Sequence, residues 1–197
     1  MTIRSHFKRL LPIGLFWLAC ALPAHAVEVG GVKVDDTAVV GGKTLKLNGA
    51  GVRVKVIVSV YAMGLYLTEK KTTPAEVQAL DGPKRVALTM MREVNSEEFG
   101  QLFITSMNAN STKEEKAKVI NQTVKFGEMF ASMDKVKKGD IITLDWVPGS
   151  GTVSSLNGKK LGETLPDVAF YNAALRIWIG EHPADSSLKP LLLGGSK

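Results

Sequence analysis

The chain has 197 residues, of which 45% are hydrophobic and 22% are charged, with 25 Lys and Arg against 19 Asp and Glu. Three basic residues lie in the first 26, so residues 27–197 carry only a small positive excess. Their lysines alternate with acids, which argues against nucleic-acid binding. The one cysteine, Cys20, also precedes residue 27, which excludes a disulfide or a thiolate metal site from the rest of the chain.

The first 26 residues predict a secretory signal peptide. Three basic residues precede an apolar run at 10–22, and Ala24-His25-Ala26 then offers a cleavage site made of small residues. The apolar run is short for a transmembrane segment. We therefore expect cleavage after Ala26, export to the periplasm, and one domain over residues 27–197.

Lipidation of Cys20 is the alternative for this segment. A lipobox has a small or branched aliphatic residue three positions before the cysteine, and here that position holds Trp17. Cleavage after Ala26 is the better match.

The remaining residues predict short strands and helices in blocks. In chain order we expect strands at 27–34, 39–47 and 47–67, a helix at 74–80 capped by Thr73, a strand at 85–94, helices at 95–107 and 113–133, strands at 141–147, 152–156 and 159–161, and helices at 166–179 and 186–193. This order is typical of an α+β fold, with helices on one side of a largely antiparallel sheet.

The predicted strand at 47–67 has two different faces. Every second residue from 52 to 60 is valine, which gives one apolar face. Arg53 and Tyr61 share the opposite face, where they could converge on one anionic group. Tyr66 lies at an odd offset from Arg53, so it joins that face only if a β-bulge at 62–64 shifts the register.

Arg53 has two interpretations. In the first, it lies at an exposed edge and pairs with a surface acid, as arginine commonly does. In the second, its planar guanidinium holds the carboxylate of a ligand, and tyrosine hydroxyl groups donate further hydrogen bonds to the same oxygens.

Metal and nucleophile chemistry find little support in the sequence. His182 is the one histidine after residue 26, and there is no cysteine to accompany it. No nucleophile-elbow or dinucleotide-binding motif is present. We predict no catalytic residue, no metal site and no cofactor.

Several segments resemble one known family. The residues 48–53 (NGAGVR), 60–67 (VYAMGLYL), the strand at 85–94 that leads to Phe99, and the residues 170–180 with 188–194 resemble the chalcone isomerase-like superfamily. The likeness covers most of the chain after residue 26 and is greatest to the bacterial exported branch. It implies an open-faced β-sandwich, in which a long antiparallel sheet packs against a layer of helices and a ligand cleft lies between them.

The resemblance also separates two functions. The isomerases of this superfamily carry a threonine, a tyrosine and an asparagine where this sequence has Tyr61, Phe99 and Ser106. Because phenylalanine lacks the phenolic hydrogen-bond donor, stabilisation of a developing oxyanion would be lost at Phe99. The fatty-acid-binding relatives hold the carboxylate with an arginine and a tyrosine at the spacing of Arg53 and Tyr66.

The leading hypothesis is an exported, non-catalytic binder of a small amphipathic carboxylate such as a fatty acid. Its predicted head-group residues are Arg53, Tyr61 and Tyr66, and the predicted cleft residues include Thr89, Met90, Met91, Phe99, Phe103, Met107 and Tyr171. One alternative is an isomerase or lyase that acts on a polarised carbonyl. Another is an envelope interaction protein with a vestigial cleft.

Overall fold

The computed structural model describes residues 26–195, so residues 1–25 of the predicted signal peptide, Cys20 among them, lie outside the described part of the chain. The strands are β1 Ala26–Val29, β2 Val32–Asp35, β3 Thr37–Val40, β4 Lys43–Lys55, β5 Val58–Leu67, β6 Lys84–Met90, β7 Val94–Asn95, β8 Lys135–Val136, β9 Ile141–Val147, β10 Gly151–Leu156 and β11 Lys159–Leu165. The helices are α1 Pro74–Ala79, α2 Ser96–Ala109, α3 Lys113–Lys118, α4 Ile120–Ala131, α5 Val168–Ile179 and α6 Leu188–Leu192. No helix within residues 26–195 has the length and apolar character needed to cross a bilayer.

One antiparallel sheet of seven strands organises the fold. Its strand order is β11-β10-β9-β6-β5-β4-β3. Two short ladders, β1 with β2 and β7 with β8, lie outside this sheet. The predicted α+β class and the antiparallel pairing are confirmed.

The main core lies between one face of the sheet and the helices α2, α4 and α5. Strand β6 shows the pattern that produces it, because Val86, Leu88 and Met90 are buried while the residues between them point to the other face. Helix α5 is buried nearly all round and contributes Phe170 and Trp178 to the same core. We refer to this side of the sheet as the helical face.

The opposite face of the sheet, which we refer to as the outer face, is covered only in part. The β1–β2 hairpin packs over the strands β3 to β5, and a small second cluster forms there. Its buried members are Val34, Val40, Leu45, Leu47 and Tyr66. A sheet with one face under helices and one face largely open is the open-faced arrangement expected from the resemblance.

Five predicted elements are interrupted in the structure. The strand expected at 39–47 turns at Gly41 and Gly42, and the strand expected at 85–94 ends at Met90, with three residues between it and β7. The single strand expected at 47–67 is wrong, because Val56 and Ile57 form a two-residue turn that folds the segment into the β4–β5 hairpin. The strand expected at 27–34 turns at Gly30 and Gly31, which both have positive φ. The helix expected at 113–133 breaks at Val119, which leaves helical geometry with a φ of −108° and ψ of 12°.

Two glycines bring the C-terminal helix against the sheet. Gly49 and Gly51 lie on β4 beneath α6, and a Cβ at residue 49 would collide with the carbonyl group of Leu191. At residue 51 a Cβ would lie 2.7 Å from a methyl group of Leu188. The absence of side chains at these positions lets α6 pack directly on β4. The loop that leads into α6 therefore comes to lie beside the end of β4.

Candidate functional site

Arg53 and Tyr61 are directly opposite each other in the β4–β5 hairpin. Their pairing depends on a β-bulge at Val60, where the register shifts between Arg53 and Val54. Both side chains point to the helical face, and the guanidinium carbon of Arg53 lies 5.6 Å from the centre of the Tyr61 ring. This geometry is a cation–π contact. The predicted proximity of these two residues is present in the structure.

Arg53 has no carboxylate partner within residues 26–195. The ion pairs of this region involve other cations, and the Nε of Arg53 is buried without a hydrogen-bond acceptor. The neighbouring acid Asp185 has its oxygens engaged by the backbone N–H groups of Val54, Ser187 and Leu188. A partly buried guanidinium in this state has unused hydrogen-bond donors and an unbalanced charge.

Tyr61 is buried, with 3% of its surface exposed, and its hydroxyl oxygen accepts a 2.8 Å hydrogen bond from Nε1 of Trp178. Burial raises the pKa of Tyr61 to about 12, although the charge of Arg53 and the Trp178 hydrogen bond offset part of the rise. Tyr61 therefore keeps its proton at neutral pH. Because the Trp178 bond uses an acceptor position of the oxygen, the hydroxyl proton can be donated to a second group.

A small pocket opens beside these residues, with a volume of about 30 Å³. It is lined by Arg53, Tyr61, Phe99, Leu102, Phe103, Ser106, Ile177, Trp178 and Ala184. On the scale at which about 10–15 Å³ holds one water molecule, this pocket holds two or three. That is the size of a carboxylate group and does not accommodate a long alkyl chain.

Behind the pocket, aromatic side chains fill the space between the sheet and the helices. The centre of the Phe103 ring lies 4.4 Å from the centre of the Phe126 ring and 5.8 Å from that of Trp178. The cavity left in this region is about 10 Å³, and Phe99, Phe103 and Trp178 also line it. The open apolar cleft expected from the sequence is therefore closed here by its own aromatic residues.

Three of the predicted ligand-binding residues lie on the other face of the sheet. Tyr66 belongs to the outer cluster, because the pairing from Tyr61 to Tyr66 is regular and the bulge expected at 62–64 is not there. Thr89 is paired with Ala62 and also points outward. A Cβ at Gly30 would lie 3.2 Å from the terminal methyl of Met91, so Met91 lies under the β1–β2 hairpin.

Tyr171 lies on the helical face but not in the pocket. It is fully buried beside Trp146, with a ring separation of 6.3 Å, and its hydroxyl oxygen has no hydrogen-bond partner in the described residues. Burial raises the pKa of Tyr171 well above its ordinary value, and the negative charge of Asp145 adds to the rise. Among the predicted residues, Arg53, Tyr61, Phe99 and Phe103 meet in the pocket.

A second and larger space lies on the outer face, which we call the outer groove. It has a volume of about 320 Å³ and is lined by Tyr66, Arg85, Thr89 and the β1–β2 hairpin, among other residues. Here the arginine is neutralised, because Nε and NH2 of Arg85 donate to the two carboxylate oxygens of Asp145 at 2.6 and 2.5 Å. The outer groove therefore presents no free guanidinium.

Trp178 is a pocket residue that the sequence reasoning did not select. It was expected only as part of a deeply packed helix. A buried tryptophan generally needs an acceptor for its indole N–H, and that requirement could have directed attention to a partner on the sheet. The described residues contain no group of three or more His, Cys, Asp or Glu side chains placed to hold a metal ion.

The fold and the pocket together define an α+β protein with an arginine and a tyrosine at the edge of a curled antiparallel sheet. The family profile described as chalcone isomerase-like matches residues 26–194, and the chain belongs to that family. The predicted family is thereby confirmed.

A solved structure with the same fold is the Arabidopsis thaliana fatty-acid binding protein AtFAP1. It superposes with a TM-score of 0.66 over 86% of this chain and 97% of the plant chain, at 17% sequence identity. No functionally curated protein matches the chain in sequence.

Proposed function

We propose that this protein is an exported, non-catalytic binder of a small amphipathic carboxylate such as a fatty acid. The observation that carries the proposal is the Arg53 guanidinium, which has no carboxylate partner within residues 26–195 and lies against Tyr61 in a pocket of carboxylate size. A guanidinium holds a carboxylate through two parallel N–H···O bonds. The Tyr61 hydroxyl supplies a further donor at the same place.

The remainder of the ligand would be apolar, because the pocket is otherwise lined mainly by hydrocarbon. Phe99, Leu102 and Phe103 surround the opening, and Leu102 is 49% exposed. A short chain can lie over Leu102 without any rearrangement. A longer chain reaches the interior only if Phe99 and Phe103 rotate away. We therefore expect affinity to rise with chain length while the chain covers Leu102, and to rise further only for chains that displace these two rings.

Binding without catalysis is supported by the residues that line the pocket. None of the nine is His, Cys, Lys, Asp or Glu, and the pKa of Tyr61, at about 12, keeps its hydroxyl protonated. A general base needs a pKa near the working pH. The fatty-acid binding named for the plant protein of the same fold agrees with this proposal.

Export is part of the proposal and rests on the N-terminal sequence. Cleavage after Ala26 would remove the apolar run at 10–22 and keep the rest of strand β1. The intact mass of protein recovered from a periplasmic extract tests this step. A mass that includes residues 1–26 would contradict it.

The central test is a titration with dodecanoate and with dodecanol, which share the alkyl chain but differ in charge. We expect the substitution Arg53→Met to weaken dodecanoate binding by about tenfold or more and to leave dodecanol binding nearly unchanged. Arg92→Met is the matched control, because Arg92 is exposed and lies outside the pocket. Equal dodecanoate affinity in wild type and Arg53→Met would contradict the proposal.

A further inference from the structure

The turn of the β4–β5 hairpin exposes aliphatic side chains to water. Val56 is 92% exposed and Ile57 88%, and the flanking Val54 and Val58 are 41% exposed each. Single exposed hydrophobic residues are ordinary, but four in one tight turn form a contiguous apolar surface. We call residues 54–58 the hairpin tip.

The backbone of the hairpin tip is unfavourable for its sequence. Val56 has a φ of 61°, in the left-handed region that β-branched residues rarely adopt. Two-residue hairpin turns of this kind normally carry glycine, asparagine or aspartate. Here the turn carries two aliphatic residues, Val56 and Ile57, which pack against nothing in the described structure. Neither the turn geometry nor the packing of the fold explains aliphatic side chains at these two positions.

The hairpin tip lies at a basic end of the sheet. Backbone hydrogen bonds connect the segments at this end. The Met91 N–H donates to the Val60 carbonyl, Met90 bonds in both directions with the loop at 137–140, and the Asn157 N–H donates to the Ile141 carbonyl. The exposed cations carried by these segments and by the tip are Lys55, Arg92, Lys135, Lys137, Lys138 and Lys159. The exposed acids are Asp134 and Glu93, and Glu93 pairs with Lys135 at 3.0 Å, so Lys135 is neutralised. The other two acids here, Asp140 and Asp185, are partly buried and accept backbone hydrogen bonds.

The turn of the tip also extends beyond the backbone hydrogen bonds that hold the cationic loops. The last backbone hydrogen bond from β5 to this segment joins the Val60 carbonyl to the Met91 N–H, and the turn lies beyond it by about two residues of strand, or about 7 Å. An apolar tip that extends beyond the backbone of loops carrying exposed cations matches the layering of an anionic membrane, in which phosphate groups lie above hydrocarbon.

We infer that residues 54–58 insert into the surface of a lipid bilayer that contains anionic lipids, and that the surrounding lysines contact the phosphate groups. A protein partner would not require the apolar and cationic parts to be stacked along one direction, so the lipid surface is the better match. The inference goes beyond the proposed ligand and does not rest on it. Because Arg53 directly precedes the tip on β4, the pocket beside it would lie close to the membrane, where amphipathic carboxylates dissolve.

The test is flotation with vesicles of equimolar phosphatidylglycerol and phosphatidylcholine. All proteins must have the same N-terminus by intact mass, because a retained apolar run at 10–22 would itself bind lipid. The variant Val56→Gly with Ile57→Asn removes the aliphatic side chains and installs favourable turn residues, so its melting temperature should stay equal or rise. We expect its vesicle affinity to fall by about tenfold or more.

The control removes two exposed aliphatic side chains elsewhere on the surface. Ile120 and Val124 on α4 are 53% and 51% exposed, and their double substitution to Gln should leave vesicle binding unchanged. A wild-type protein that does not float with anionic vesicles would overturn the inference, and the tip would then be assigned to a protein partner. Wild-type binding by the folded tip variant would overturn it as well.

Charge is tested separately by Lys137→Gln with Lys138→Gln. We expect weaker binding to the anionic vesicles and no change on phosphatidylcholine alone, since each lysine adds electrostatic attraction. The control is Lys43→Gln with Lys46→Gln, at the opposite end of β4. If both pairs of substitutions weaken binding equally, attraction depends on net charge alone and the oriented docking is wrong.

Discussion

Arg53 and Arg85 lie on opposite faces of the same sheet, and they differ in what surrounds them. Arg85 forms a two-point ion pair with Asp145 from the neighbouring strand β9, and that contact raises the pKa of Arg85. Arg53 lies over the Tyr61 ring without a carboxylate partner in residues 26–195. The comparison separates an arginine whose charge is neutralised within the sheet from one that has no carboxylate partner in the described residues and that we propose binds the ligand.

Each arginine also has a tyrosine beside it. Arg53 is paired with Tyr61 across the hairpin, and Arg85 is paired with Tyr66 across β5 and β6. Both tyrosines are almost fully buried, and burial is the largest cause that raises the pKa of each to about 12. The two arginine–tyrosine pairs thus share their chemistry, and the presence of an internal carboxylate is what distinguishes them.

The largest expected effect is on stability, from the substitution Asp145→Asn. It removes the negative charge that neutralises Arg85 and should lower the free energy of unfolding by about 3 kcal/mol, because a partly buried guanidinium is left without its partner. Arg53→Met should change the same quantity by no more than about 1 kcal/mol, since it removes a cation–π contact but also a poorly solvated charge. Urea denaturation at neutral pH measures both.

The stability changes of Asp145→Asn and Arg53→Met together show whether Arg53, like Arg85, is a structural residue. A loss of stability in Arg53→Met as large as that in Asp145→Asn would mean that Arg53 is also a structural residue. In that case the envelope interaction protein with a vestigial cleft becomes the better hypothesis for the pocket.

The second effect appears at alkaline pH. A tyrosine whose folded pKa is raised above its unfolded value of about 10 stabilises the fold fully below pH 10, and this contribution is lost as the pH rises towards 12. For Tyr61 the raised pKa of about 12 corresponds to about 2–3 kcal/mol. We expect Tyr61→Phe to reduce the decline in unfolding free energy between pH 10 and 12, measured by urea titrations at several pH values.

Tyr66→Phe provides the parallel measurement on the outer face. Its effect on the alkaline decline should be comparable, because Tyr66 has a similarly raised pKa. A decline that neither substitution changes would show that other groups, such as the lysines, control alkaline unfolding.

A smaller effect is expected from Trp178→Phe. The substitution removes the indole N–H that donates to Tyr61 and should lower the free energy of unfolding by about 1–2 kcal/mol, through one lost buried hydrogen bond and a small cavity. The Tyr61 hydroxyl would then be free to rotate, so dodecanoate affinity should also fall. An affinity equal to that of wild type would indicate that Trp178 does not orient Tyr61 for the ligand.

The sequence predicted the elements well but reached the Arg53–Tyr61 contact by a different route from the one the structure takes. In a continuous strand these residues share a face by even spacing. In the observed hairpin, the turn at Val56 and Ile57 would pair Arg53 with Val60, and only the bulge at Val60 moves Tyr61 into that place. Neither the turn nor the bulge carries glycine, so the usual sequence signals were absent.

Other features depend on residues far apart in the chain. The partner of Arg85 is Asp145, sixty positions away, and alternation along a strand gives the face of a side chain without its neighbour on the next strand. The closed interior also depends on contacts between distant residues. The volume left between the sheet and the helices is set by how four aromatic side chains pack together: Phe99, Phe103, Phe126 and Trp178. Helical periodicity identifies these residues as buried but does not give the remaining space.

The smallest expected effect is the change in dodecanoate affinity in Tyr66→Phe, and its comparison with Tyr61→Phe shows which face of the sheet binds the ligand. Tyr66→Phe should change dodecanoate affinity by less than about twofold, because Tyr66 lies on the outer face with the neutralised Arg85, whereas Tyr61→Phe should weaken it by about tenfold through the loss of one hydrogen bond to a charged group. Calorimetric titration of both variants measures the difference. If instead Tyr66→Phe weakens binding and Tyr61→Phe does not, the carboxylate lies in the outer groove, and the asymmetry between the two arginines has been assigned to the wrong face.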